Sequence, residues 1–379
     1  MRPDTRAIDA ALRLLSRDWA GLPIALLPAA VGAWCITLDG GWRVLGGVLC
    51  AAALALALGS LRHLVHVARV RVRHPPPGRM VDVGGHRMHI LAEGDRGNRP
   101  TVVWMPGGHV GGYAMYPLHA LARERMRSVL ADRPGSGWSD PGPFPRTTAT
   151  EAVELLTALE RGGEKGPYVL VGHSFGGLLM ANAARLRPDL VAGLVLLDPT
   201  PPDAIAFGPP IPALRRASGQ QIAVAARRLF GLHALADRNG AHSSGGPAEV
   251  LSAVETRTRA ACAAASILRE LSPDGITRDG WHTVVHDGEL GSLPLLLVAP
   301  RDLTGGDEIF DKADAEENAR LRHFFLTVRE RFLTASSNAR RVYTPAGTGH
   351  DFPNQVPEFV VRVVSSFLEE CAPDAPHSP

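Results

Sequence analysis

The sequence predicts an α/β protein, a mostly parallel sheet flanked by helices and preceded by a pair of apolar helices. Three observations carry this expectation. From residue 79 onward, short β-type runs alternate with amphipathic helical stretches, the pattern of a parallel sheet covered on both faces. Before that point, two long uncharged runs occupy residues 19–38 and 44–61. Between residues 198 and 293 the alternation stops, and a Pro-, Gly-, Ala- and Arg-rich stretch without clear strands reads as a helical insertion.

Each apolar run approaches the roughly 20 residues that a helix needs to cross the hydrocarbon of a bilayer. The polar turn Asp39-Gly40-Gly41-Trp42-Arg43 joins them, so the expectation is a transmembrane helical hairpin. Arg2, Arg6, Arg13 and Arg17 precede the first run, and Arg62, Arg69, Arg71 and Arg73 follow the second, while the turn carries only Arg43. Basic flanks stay on the cytoplasmic side. The chain is therefore expected to be a multi-pass protein of the cell membrane with its α/β domain on the cytoplasmic face. The doubled apolar material is too long for a cleaved signal peptide. Residues 62–73 are expected to continue the second helix, with their cations near anionic lipid head groups. Pro75-Pro76-Pro77-Gly78 then breaks that helix as a stiff linker. The organisation that follows is a membrane anchor over 1–74, a linker over 75–78 and an α/β domain over 79–370. A cap spans about 199–293, and 371–379 form a disordered tail.

Within the α/β domain, residues 80–83 and 87–92 flank Gly84-Gly85 as an opening antiparallel hairpin. Strands are predicted at 101–105, 127–131, 168–171, 194–197, 295–299 and 340–343. Helices are predicted at 115–125, 147–161 (capped by Thr148 or Thr150), 175–186, 248–271, 316–335 and 357–369.

Composition bounds the function. Hydrophobic residues make up 45% and charged residues 21% of 379, ordinary shares for a globular chain. A formal net charge of +2 provides no global basic field for nucleic acid. Cys35, Cys50, Cys262 and Cys371 have neither disulfide-like nor metal-like spacing.

The motif Gly172-His173-Ser174-Phe175-Gly176 sits between a predicted strand and a predicted helix. A serine on so tight a turn needs glycine on both outer sides, because side chains there would collide; this setting marks Ser174 as a nucleophile. A helix N-terminus also aims N–H groups at developing negative charge. The N–H of Phe175 and one from the loop Pro106-Gly107-Gly108-His109-Val110-Gly111-Gly112 are expected to form an oxyanion hole. Gly108 is the first choice in that loop and His109 the alternative. Of fifteen histidines, His350 has the chain position of a general base, after the last strand and before the last helix. The acid that orients it is open. Asp302 follows the strand at 295–299 and is preferred, Asp198 at the end of the strand at 194–197 is the alternative, and Asp307 is a third option.

Together these stretches resemble the α/β-hydrolase superfamily over roughly residues 79–370. They include PPPGRMVDVGGHRMHI, DRPGSGWSDPGP, GPYVLVGHSFGGLL, VAGLVLLDPTPP and GTGHDFPNQVPEFV, and the nearest likeness is to bacterial members with an N-terminal membrane segment. The resemblance implies hydrolysis through an acyl-enzyme on Ser174 without a cofactor or metal, and leaves the substrate open. The acid loop Ala299-Pro300-Arg301-Asp302 lacks the glycine usual after that strand. The leading expectation is a membrane-anchored carboxylic-ester hydrolase for a small or lipid-like acyl substrate. The alternatives are a peptidase or amidase of the same fold, and a non-catalytic membrane-tethered interaction module.

Overall fold

The computed structural model describes residues 3–201, 213–232, 248–270, 285–301 and 315–371. Three helices come first: α1 (Pro3–Leu15), α2 (Gly21–Ile36) and α3 (Gly41–Arg73). Strands β1 (Arg79–Asp82), β2 (Arg87–Glu93) and β3 (Thr101–Met105) lead to α4 (Tyr116–Ala122) and β4 (Ser128–Ala131). Then come α5 (Thr148–Arg161), β5 (Tyr168–His173), α6 (Phe175–Leu186) and β6 (Val191–Leu197). Between β6 and β7 (Leu295–Ala299) lie α7 (Ala213–Leu229), α8 (Ala248–Glu255) and α9 (Thr258–Glu270). Helix α10 (Ala315–Val328), strand β8 (Ala339–Tyr343) and helix α11 (Pro357–Glu370) complete the order.

The eight strands form one sheet in the order β1-β2-β4-β3-β5-β6-β7-β8. The β1–β2 and β2–β4 pairings are antiparallel, and all the others are parallel. Side chains alternate across the central strands and so build two cores. Leu170 of β5 and Val103 of β3 join the α5 and α6 side with Leu155, Leu179 and Met180. Val169, Val171 and Trp104 join the opposite side with Leu118, Val360 and Phe367. Because the chain leaves β3 outward to β4 and returns as β5 on the other side, the order reverses between β3 and β5. The loops at their carboxyl ends therefore diverge around a crevice, where ligands of open α/β sheets bind.

The sequence-predicted elements recur with small shifts, and two differ in substance. The helix expected over 248–271 is broken into α8 and α9, and Arg228 Nη1 donates to the carbonyls of Glu255 (2.7 Å) and Arg257 (3.3 Å) at the break. A guanidinium thus satisfies carbonyls that a continuous helix would have bonded internally. In addition, α1 is more than a basic flank. Ile8, Leu12 and Leu15 recur at helical spacing, and Leu12, 1% exposed, packs with Phe144, Ala225, Ala261, Cys262 and Ala265. Asp9 pairs with Arg269 of α9.

The two apolar runs form α2 and α3, packed against each other at glycines. A Cβ on Gly46 would lie 2.6 Å from the Gly32 carbonyl oxygen, and one on Gly32 would lie 2.8 Å from that of Gly46. Helix α3 has 33 residues, about 50 Å of length, and is long and apolar enough to cross a membrane. Helix α2 is shorter, 16 residues, and retains Pro28 in its interior. Large side chains on both point away from protein: Leu26, Leu27, Val44, Val48, Leu54 and Leu58 are all more than half exposed. Beyond Ser60, α3 continues unbroken to Arg73 along the α/β domain, where His66 Nε2 lies 2.8 Å from Thr256 Oγ1. Trp138 Nε1 donates to the His74 carbonyl at 2.9 Å.

Leu12→Ala should lower unfolding free energy by about 2–3 kcal/mol, the cost of a cavity in a well-packed site. Thermal denaturation of the full chain in detergent checks this, and an unchanged melting temperature would show that α1 does not stabilise the fold.

Candidate active site

Strand β5 delivers the chain to Ser174 with no room to spare. A Cβ on Gly172 would sit 2.5 Å from the Gly176 carbonyl oxygen, and one on Gly176 would sit 2.5 Å from that of Met105. Ser174 itself has φ 50°, ψ −121°, a strained conformation for a non-glycine residue. Its backbone is tied down from two sides. The N–H donates to Leu197 O at 3.0 Å, and the carbonyl accepts from Thr200 N at 3.0 Å. The half-buried side chain therefore stands at the carboxyl edge of the sheet, on the first turn of α6.

The loop after β3 passes beside it: a Cβ on Gly107 would lie 2.6 Å from Ser174 Cβ. Gly108 has φ +54°, and its carbonyl accepts a hydrogen bond from Arg133 Nη2. The rest of the loop hangs on two carboxylates. Glu255 Oε1 accepts from Gly111 N (2.9 Å) and Gly137 N (2.9 Å), and Asp132 Oδ1 accepts from Gly112 N (2.6 Å). Arg133 also lies over the Phe175 ring at 5.3 Å. Desolvation and the Arg133 charge push the imidazole of His109 down to about 3, so that ring is neutral at physiological pH. It packs 5.7 Å from the Phe175 ring.

His350 follows β8, in a loop whose Gly349 N–H donates to Gln355 Oε1 at 3.0 Å. Its Nδ1 lies 2.7 Å from Asp198 Oδ2. A carboxylate only accepts, so this contact puts the proton on Nδ1 and makes Nε2 the unprotonated nitrogen of the neutral ring. The neighbouring His173 donates from Nε2 to the His350 carbonyl at 2.9 Å, with the two rings 4.8 Å apart. Burial, then the His350 charge, pushes the His173 imidazole down to about 3, so it serves as a neutral brace.

Asp198 is 4% exposed and has φ 38°, immediately after β6. Arg329 Nη1 donates to its Oδ1 at 2.5 Å, while Nη2 donates to the Pro300 carbonyl. Burial alone would raise the carboxyl; the hydrogen bond and charge of His350 and the charge of Arg329 outweigh it and hold the group below the ordinary value of 3.8.

Of the residues expected from sequence, the structure brings together Ser174, Gly108, Phe175 and His109 at one end of β3 and β5, and Asp198 with His350 beside them. Among the acids, Asp198, the second choice, carries a hydrogen bond to His350, whereas Asp302, the first choice, and Asp307 lie outside the described residues. The sheet explains why Asp198 reaches: β6 pairs directly with β5, and the Asp198 N–H extends the ladder to Val298 O at 2.7 Å before the chain turns. Sequence reasoning missed Arg133, Glu255 and Arg329. Arg133 stands in the quoted stretch DRPGSGWSDPGP, but Glu255 and Arg329 have only their side-chain type to recommend them.

A parallel sheet that presents a serine on a strained strand-to-helix turn, beside a histidine held by a buried carboxylate, is the framework of a hydrolytic enzyme. Residues 102–363 match the model of the alpha/beta hydrolase family, and the chain belongs to that family. Among curated relatives, an uncharacterised protein of Bacillus subtilis, YbdG, is 26% identical over 163 residues, 41% of this chain and 50% of its own length. Lipase LipV of Mycobacterium tuberculosis is 47% identical over 83 residues, 21% of this chain and 31% of its own. The chain thus spans half or less of the length of these relatives. Among solved structures, a probable hydrolytic enzyme from Pseudomonas aeruginosa has a TM-score of 0.58 at 22% identity, covering 78% of this chain and 95% of its own. A thermophilic esterase from Thermogutta terrifontis has a TM-score of 0.51 at 19% identity, covering 78% and 98%. At these identities the structural likeness speaks for the fold.

The depressed Asp198 carboxyl makes stability depend on acid pH. Its folded-state pKa lies below the unfolded one, so its contribution is fully present above about pH 4 and is lost as pH falls through the folded value. Asp198→Asn should flatten the acid limb of a stability-versus-pH curve below about pH 4, measured by chemical denaturation. An acid limb identical to that of the wild type would contradict the pairing.

Proposed function

We propose that the protein is a membrane-anchored serine hydrolase that cleaves carboxylic esters of small or lipid-like acyl groups through an acyl-enzyme on Ser174. The observation that carries this reading is the 2.7 Å contact between His350 Nδ1 and Asp198 beside the strained Ser174 turn. In the proposed cycle Ser174 Oγ attacks the acyl carbonyl while His350 Nε2 takes its proton. Asp198 keeps the imidazole in the required tautomer and stabilises the imidazolium. The N–H groups of Gly108 and Phe175 receive the oxyanion, and Arg133 fixes the next peptide of the loop through the Gly108 carbonyl. His350 then returns the proton to the leaving alcohol, and a water molecule repeats the sequence to release the acid. No cofactor or metal takes part in this cycle.

The segment between β6 and β7, with α7, α8 and α9, acts as the cap of the α/β domain in this reading. Helices α2 and α3 are read as the membrane hairpin, on the strength of their exposed apolar side chains and the length of α3. The arginines on both flanks favour a cytoplasmic catalytic domain. Lipase LipV among the curated relatives supports an ester substrate, while a 2-(acetamidomethylene)succinate hydrolase and a putative carbamate hydrolase keep amide-type substrates as the second reading.

Ser174→Ala should abolish turnover of p-nitrophenyl acetate and butyrate, a loss of about 10⁴-fold or more, and block labelling by a fluorophosphonate probe. Asp198→Asn should lower kcat by roughly 10³- to 10⁴-fold, while Asp302→Asn leaves it near wild type. The reverse order would make Asp302 the acid. Separately, a reporter fused after Pro379 should register as cytoplasmic, and a periplasmic signal would refute the two-span orientation.

A further inference from the structure

A cavity of about 460 Å³ lies at the root of the α2–α3 hairpin, where the chain between α1 and α2, the lower part of α3 and the α/β domain meet. Its wall carries three guanidinium groups, from Arg17, Arg71 and Arg259, together with the indole of Trp19. Arg259 is 4% exposed. It donates from Nη2 to the Gly137 carbonyl at 3.0 Å, and its Nε has no hydrogen-bond partner. Burial, then the charge of the nearby Arg257, pushes Arg259 down to about 9, still cationic at neutral pH. Arg257 is 5% exposed, with an equally unpartnered Nε. Among the described residues, none of Arg17, Arg71, Arg257 and Arg259 has a carboxylate within 4.0 Å.

The two acidic groups on the same wall make their direct contacts elsewhere, although their charges also reach Arg259. Asp18 Oδ1 lies 3.0 Å from His63 Nε2 and accepts from Thr258 Oγ1 at 3.3 Å, and Asp140 is paired with Arg87 at 2.9 Å. His86, also on the wall, lies 3.2 Å from Glu154. Asp18 and Asp140 offset the charge of Arg257 and Arg259 only from beyond ion-pair distance, so burial still outweighs them, and a bound anion in direct contact would reduce that cost. The guanidinium fork matches the oxygens of a phosphate better than it matches a halide. The cavity also stands where the hairpin would leave the bilayer: Gly21 of α2 and Ser60 of α3 touch just above it, and Trp19 is an interfacial side chain by type.

We propose that this cavity is a phosphate-anion site that takes the phosphodiester head group of an anionic phospholipid. The phosphate chemistry rests on the arginines alone, and the choice of a lipid as its source rests on the membrane-anchored reading given above. The site lies apart from Ser174, so it tethers or orients the enzyme at the membrane surface and takes no part in acyl transfer.

The test uses the full chain in nanodiscs of mixed phosphatidylcholine and phosphatidylglycerol, with retained lipids counted by native mass spectrometry. Wild type should retain phosphatidylglycerol preferentially. The double variant Arg17→Gln/Arg71→Gln, both at exposed positions, should lower that retention by about tenfold or more with its melting temperature preserved. The control Arg62→Gln/Arg69→Gln removes the same charge from α3 outside the cavity and should keep the wild-type preference. In a second arm, lipid-free protein in detergent is titrated with inorganic phosphate and followed by thermal shift. Stabilisation of wild type but not of Arg17→Gln/Arg71→Gln, without lipid selectivity, assigns the site to free phosphate. No lipid selectivity and no phosphate response overturns the proposal, as does an equal loss in the control variant. Flotation with vesicles reports on anchoring independently: a chain that stays in the soluble fraction defeats the membrane reading, and the phosphate titration then decides the site by itself.

Discussion

The arrangement around Ser174 depends on how closely two backbones approach. The turn from β5 into α6 presses against the end of β3 so tightly that a methyl group at Gly172, Gly176 or Gly107 would meet atoms at 2.5–2.6 Å. Three positions without side chains allow the serine, the first N–H groups of α6 and the loop after β3 to occupy one small volume. The strain this imposes is visible in the positive φ of Ser174. It is sustained because both cores of the sheet pack the flanking strand and helix from either side.

Around that volume the protein has buried an unusual amount of charge. Asp132, Arg133, Arg146, Glu151, Glu154 and Glu255 are all buried or nearly so. Arg146 pairs with Glu154, and Glu255 spends its carboxylate on the N–H groups of Gly111 and Gly137. Burial raises the carboxyls of both Glu151 and Glu255 despite nearby arginines. Such groups are expensive to desolvate, and what they supply is fixed geometry for the glycine-rich loop, whose backbone has little conformational preference of its own. Glu255 comes from the segment between β6 and β7, so the loop beside Ser174 is braced by the helices of that segment.

Those helices are in turn gripped by the N-terminus. Helix α1 contributes Leu12 to their core, Asp9 pairs with Arg269, and α3 approaches the end of α7 where Gly59 and Gly231 stand in backbone contact. The apolar hairpin and the α/β domain are thereby connected by packing, ion pairs and hydrogen bonds as well as by the chain at residues 74–78. A tether attached only through a proline-rich linker would leave the domain free to tumble; these contacts give it a defined orientation relative to α3.

The sequence alone determined the strand–helix alternation, the two apolar runs, the glycines of the Ser174 turn and the chain positions of Ser174, Gly108, Phe175 and His350. Each of these is written in local periodicity or in a side chain whose absence the backbone requires. Only the tertiary structure showed that Asp198 meets His350, because that contact joins the end of one strand to a loop 152 residues further along the chain. The same holds for Arg133, Glu255 and Arg329, whose partners are 18 or more residues distant in sequence, and for α1, whose short apolar stripe acquires meaning only from the helices that receive it. A charge or a stripe in the sequence states what a residue can do, and the fold states against what it does it.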